Sequence, residues 1–125
     1  MSSARILIVD DEPDIRELVG EILADEGHEI IKAADAAEAR ELRGQHSPDL
    51  VMLDVWMPDT DGISLLREWR ETDILDCPVV MISGHGSVEA AVEATRLGAF
   101  DFIEKPVSMA KLLVTVSNAL EAGRL

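Results

Sequence analysis

Two rhythms of apolar residues alternate along this chain. Short, largely apolar runs fill positions 5–9, 50–53, 79–82 and 100–104, and a more polar one fills 29–33. Between them apolar residues recur three and four apart, the spacing of one helix face. After Pro13, the residues Ile15, Leu18, Val19, Ile22 and Leu23 make such a face, and Gly27 is placed to stop the helix. Asp35 with Glu38 reads as a capping box for a helix through Leu42 that fades by Gly44. Ile63, Leu66 and Trp69 mark a third helix after the turn-rich stretch 57–62. Ser87 opens a fourth, with Val88, Ala91, Val92 and Thr95 on its core face, Ala90, Ala94 and Leu97 on its outer side, and Gly98 at its end. Ser108 caps the last, which turns Leu112, Leu113, Val116 and Leu120 inward.

Strongly apolar strands separated by helices predict a parallel sheet covered on both faces. Five strands in 125 residues suit a flavodoxin-like doubly wound (βα)5 fold with strand order 2-1-3-4-5. The more polar run 29–33 belongs at the sheet edge. In this order the first and third strands are neighbours.

Four of the runs stop at a polar or charged side chain: Asp10 and Asp11, Asp54, Ser83, and Lys105 before Pro106. Ligands of open parallel sheets bind beyond the carboxyl ends of the strands. Taken singly, each of these residues is an ordinary cap or turn former. Together, in strand order, they make a site. Three carboxylates in one pocket repel one another unless a cation joins them. Mg²⁺, with Mn²⁺ as a substitute, suits oxygen ligands that must leave room for a phosphate oxygen. Lys105 adds a second positive charge and Ser83 a hydroxyl donor. Asp54, central among them, is the expected nucleophile for an aspartyl-phosphate, with Asp10 and Asp11 toward the metal.

Charge narrows the partners. The net charge is −14, with 25 acids against 11 Lys and Arg, so this domain is not expected to bind nucleic acid or an anionic membrane surface. No apolar stretch approaches the ~20 residues that span a bilayer. Cys77 has no disulfide partner and reads as a small hydrophobe before a strand. The chain is expected to be cytoplasmic.

The motifs Val9-Asp10-Asp11-Glu12, Asp54-Val55-Trp56-Met57-Pro58 with Asp61-Gly62, Ser83-Gly84 and Lys105-Pro106 resemble those of a bacterial two-component receiver domain across the whole chain. The resemblance implies phosphorylation of Asp54 by a histidine kinase or a small donor such as acetyl phosphate. It implies Mg²⁺ held by Asp11, Asp54 and the main-chain carbonyl of Trp56, with Asp10 acting through water, and a cis peptide between Lys105 and Pro106. Ser83 and Phe102 match the switch positions, and Phe102 lacks the hydroxyl of the commoner Tyr; as a plain core aromatic it would need no switching role.

The stretches 83–89 and 98–106 are similar to receivers of the NtrC and NtrX type, which precede an AAA+ domain acting on sigma-54 RNA polymerase and a DNA-binding domain. Residues 1–125 are thus expected to be a receiver excised from a longer regulator, with a single-domain regulator as the alternative. Its output face would be the fourth helix, last strand and last helix, which also suits a homodimer. Two variable positions flank the site. Trp56 either hinders the water that removes the phosphoryl group or lies aside over the loop; His85 either orients water or is a solvated loop residue. The chain would be no enzyme beyond promoting its own phosphorylation and dephosphorylation. A haloacid-dehalogenase-type hydrolase wants a second acid where Trp56 stands, and a nucleotide site lacks a glycine-rich loop. A phosphate-independent interaction module would leave the acid, hydroxyl and lysine set without a use.

Overall fold

The computed structural model describes residues 3–72, 77–84 and 88–123. Five parallel strands, β1 (Arg5–Val9), β2 (Glu29–Ala33), β3 (Leu50–Asp54), β4 (Val79–Ser83) and β5 (Asp101–Glu104), form one sheet in the order β2-β1-β3-β4-β5. This is the predicted doubly wound fold, with the polar β2 at an edge. Helices α1 (Pro13–Asp25) and α5 (Met109–Gly123) cover one face, over Ile6, Ile8, Met52, Val80 and Ile82. Helices α2 (Ala36–His46), α3 (Gly62–Glu71) and α4 (Val88–Arg96) cover the other, over Leu7, Val9, Val51, Leu53 and Met81. Burial on both sides explains the unbroken apolar runs.

Register brings the strand ends together. Val9 pairs with Leu53, Asp54 with Ile82, and Ser83 with Glu104. Each polar terminus therefore lies at or one residue beyond the same edge of the sheet.

Local chemistry sets the helix ends. Gly27, at φ 94°, closes α1: its N–H donates to Ala24 O and the His28 N–H to Leu23 O, the paired bonds of a Schellman ending. Asp35 caps α2 by accepting the Glu38 N–H at 2.8 Å, while Glu38 Oε1 accepts the Ala34 N–H at 2.7 Å. Asp61 caps α3, accepting the Ser64 N–H at 2.8 Å and its hydroxyl at 3.0 Å. Ser108 Oγ accepts the Lys111 N–H at the start of α5.

Three expectations need correction. Helix α2 continues past Gly44 to His46 and ends at Ser47, whose φ of 46° breaks it. Leu18 stands 43% exposed on α1, because Val19 and Leu23 take the core positions. Helix α4 is turned the other way round from the reading above. Ala94 is buried, and Ala90 and Leu97 pack inward, whereas Val88 is 78% and Val92 45% exposed. Both stripes of α4 are apolar, so periodicity could not choose between them. Small residues let the helix approach the sheet closely, and Glu93 is held by Arg67 of α3 at 2.7 Å. His85 and Ser87 lie outside the described residues.

Candidate functional site

Asp54 ends the central strand and is 2% exposed; Asp10, just past β1, is wholly buried. Two backbone features hold the ends in place. The Asp10 N–H donates to Ala33 O at 3.1 Å, and Arg16 Nη1 of α1 donates to Asp10 O at 2.6 Å. Beyond Asp54 the chain loops out and returns, where the Gly62 N–H donates to Val55 O at 2.8 Å. A Cβ on Gly62 would lie 2.0 Å from the Asp54 carbonyl oxygen, so only glycine permits this return.

These ends open on a cleft of about 630 Å³ lined by Asp11, Glu12, Asp54, Trp56, Gly84 and Lys105 among others. Lys105 follows β5, its N–H donating to Ser83 O at 2.8 Å, and the Lys105–Pro106 peptide is cis. Its Nζ lies 2.5 Å from Glu12 Oε1, 3.2 Å from Asp10 Oδ2 and 3.7 Å from Asp54 Oδ1. Carboxylate oxygens of Asp10, Glu12 and Asp54 lie within 4.8 Å of one another. Asp11 lines the same cleft from an exposed position. Ser83 is fully buried at the end of β4. Trp56 is 55% exposed, with its N–H 3.4 Å from Asp54 Oδ1. Phe102 is half-buried against the α2–α4 side of the sheet.

Glu12, named from the sequence only within the Val9-Asp10-Asp11-Glu12 motif and given no role of its own, is a residue that sequence reasoning missed. It stands at the N-cap of α1 but makes no side-chain cap bond, and it reaches back to Lys105 instead. Arg16 was missed as well, since a charged residue on a helix carries no signal of a bond to a backbone carbonyl.

The electrostatics follow from crowding. Burial, and then the charge of Asp10, push Asp54 up to about 7 against the opposing pull of Lys105. Burial alone would lower Lys105, but Glu12, Asp10 and Asp54 outweigh it and hold the ammonium above its ordinary value. Asp10 Oδ2 is buried, and beyond its ion pair with Lys105 at 3.2 Å it receives no hydrogen bond among the described residues. Three carboxylates crowded around one ammonium, an all-oxygen donor set with excess negative charge, fit a hard divalent cation.

A family model described as the response regulator receiver domain matches residues 6–117. This chain is a member of that family. Receivers of this family use Mg²⁺, and the acids at these strand ends can bind a metal. The nitrogen assimilation regulatory protein NtrX of Azorhizobium caulinodans is 48% identical over 96% of this receiver, which spans 27% of that protein's length. The crystal structure of the receiver domain of NtrX from Brucella abortus superimposes with a TM-score of 0.87 at 50% identity, covering 93% of this chain and 98% of that one. A beryllofluoride-activated NtrC4 receiver domain dimer gives a TM-score of 0.88 at 39% identity, covering 95% and 98%. The domain is a receiver of NtrC-like two-component regulators, a family of phosphorylation switches. Among the described residues no helix is long and apolar enough to cross a membrane.

Proposed function

We propose that this receiver takes a phosphoryl group on Asp54 from the phosphohistidine of a cognate histidine kinase. The observation that carries the reading is the burial of Asp54 at the centre of the sheet edge, between Asp10 and the Lys105 ammonium. In the transfer an Asp54 carboxylate oxygen bonds to phosphorus while the P–N bond to the kinase imidazole breaks and its electron pair leaves with the imidazole nitrogen. Asp54, Asp11 and the Trp56 carbonyl would hold Mg²⁺, with Asp10 beside it. Bound there, the ion supplies charge neutralisation at the carboxylates and the phosphoryl oxygens. Lys105 moves from the carboxylates to a phosphoryl oxygen, and the Ser83 hydroxyl donates to another, coupling the modification to β4. Phe102, beside Met81 in the register, is the second switch position. The only catalysis assigned to the chain is of its own phosphorylation and dephosphorylation, and Trp56 and His85 tune the latter.

The output passes through the face formed by α4, β5 and α5. Val88, Ala91, Val92 and Thr95 line an exposed, largely apolar hollow of about 360 Å³ on α4, a surface suited to a second copy or to a domain of the same regulator. Residues 1–125 would then be the receiver of a longer cytoplasmic protein whose AAA+ and DNA-binding domains activate sigma-54 transcription. Incubation with acetyl phosphate and Mg²⁺ tests the central step: intact mass should rise by one phosphoryl group, and no adduct with any small donor would refute it.

A further inference from the structure

The loop from Val55 to Asp61, which carries the Trp56 carbonyl, is fastened to a helix outside the cleft. Asp59 Oδ1 accepts the Ala36 N–H at 3.1 Å and its Oδ2 accepts the Ala37 N–H at 3.0 Å. The next N–H of α2, that of Glu38, goes to Asp35 at 2.8 Å. The first turn of α2 is therefore capped by two carboxylates, one from its own N-cap and one from a loop more than twenty residues away. Helix N–H groups otherwise left open favour such an anion. Burial works to raise Asp59, but the N–H groups of Ala36, Thr60 and Ala37 outweigh it and keep the carboxylate below its usual range.

A second tie runs nearby. Arg40 of α2 reaches Thr60 Oγ1 at 3.4 Å and grips Glu68 of α3 with bonds of 2.8 and 3.0 Å. The same helix start is also referenced to the other half of the site, because β2 ends at Ala33, whose carbonyl accepts the Asp10 N–H. Asp10 and the Trp56 loop are thus both hydrogen-bonded to one support, the β2–α2 junction. Groups that orient ligands hold metal affinity much as the ligands themselves do.

We propose that Asp59 is a positioning residue for the metal site: by capping α2 from the loop, it fixes the Trp56 carbonyl relative to Asp54 and Asp10. The inference rests on the reading that Asp54 and the Trp56 carbonyl hold Mg²⁺.

The test compares wild type, Asp59→Ala, Asp59→Asn and Asp35→Ala. Mg²⁺ affinity is measured by calorimetry and by Trp emission, in which the exposed Trp56 responds and the buried Trp69 does not. Amide hydrogen exchange at Gly62 is measured in the metal-free proteins. Asp59→Ala should lose about tenfold in Mg²⁺ affinity and exchange Gly62 faster. Asp59→Asn, which keeps one carbonyl acceptor, should fall between it and wild type. Asp35→Ala removes a cap of the same kind from the same helix without touching the loop, and should stay within about twofold of wild type. Equal losses in Asp35→Ala and Asp59→Ala would mean that only helix stability matters, and would overturn the proposal. Unchanged affinity and exchange in Asp59→Ala would overturn it too, while leaving the metal reading intact. A wild type that binds no Mg²⁺ would remove the metal reading and the proposal with it.

Discussion

The Lys105 ammonium sits 2.5 Å from Glu12 and 3.7 Å from Asp54. In this conformation the ammonium proposed to serve the phosphoryl group is held by Glu12 at the mouth of the cleft and by buried Asp10 at 3.2 Å, and on that proposal it must be released to act. Glu12 is 58% exposed, which limits such a pair to under about 1 kcal/mol. Glu12→Gln should therefore speed phosphorylation by acetyl phosphate by about threefold, which also reflects weaker repulsion of the anionic donor. Initial rates of aspartyl-phosphate formation measure it; an unchanged or slower rate would count against this holding role.

The raised Asp54 makes the metal-free domain pH-sensitive in a defined direction. Its carboxyl holds a proton up to about 7 in the fold, whereas the ordinary value is 3.8. Stability from this group is full below the ordinary value and is lost as pH rises through 7. Without Mg²⁺, thermal unfolding of wild type should fall by at least about 3 °C relative to Asp54→Asn on going from pH 5 to pH 8. Added Mg²⁺ should remove the difference. Parallel melting curves for the two proteins across that range would contradict the account.

Gly62 touches the Asp54 carbonyl so closely that any side chain must push the backbone away. Gly62→Ala should cost about 1–3 kcal/mol in urea unfolding, the range of overpacked sites. A loss below about 0.5 kcal/mol would show that the loop gives way easily.

The exposed valines of α4 should matter for output and not for chemistry. Val92→Glu should phosphorylate at the wild-type rate yet fail to self-associate when beryllofluoride occupies the site, as read by sedimentation. A Val92→Glu protein that dimerises like wild type, or a wild type that stays monomeric, would argue against this face.

How much of this was legible depended on whether burial left one solution or two. The runs at 5–9, 50–53 and 79–82 are buried on both faces, so they could only be interior strands, and their polar ends fell into line at once. Gly27 and Asp35 announced helix ends because each residue type answers a backbone need. Helix α4 offered two apolar stripes, and the smaller one won because Ala94 packs where a valine would hold the helix off. Glu12 was hidden by its neighbours: beside Asp10 and Asp11 it looked like one more acid, and only the fold brings Lys105, 93 positions later, against it. The Asp59 brace was likewise invisible, since nothing in a turn-rich stretch says which helix it will cap.

The most direct measurement is the position of the phosphoryl group itself. After incubation with acetyl phosphate and Mg²⁺, borohydride reduction converts an aspartyl-phosphate to homoserine, which peptide mass spectrometry locates. Homoserine at position 54 in wild type, and none anywhere in Asp54→Asn, is the predicted result. Homoserine at position 10 or 11 in wild type, or labelling retained in Asp54→Asn, would contradict the assignment of Asp54 as the acceptor.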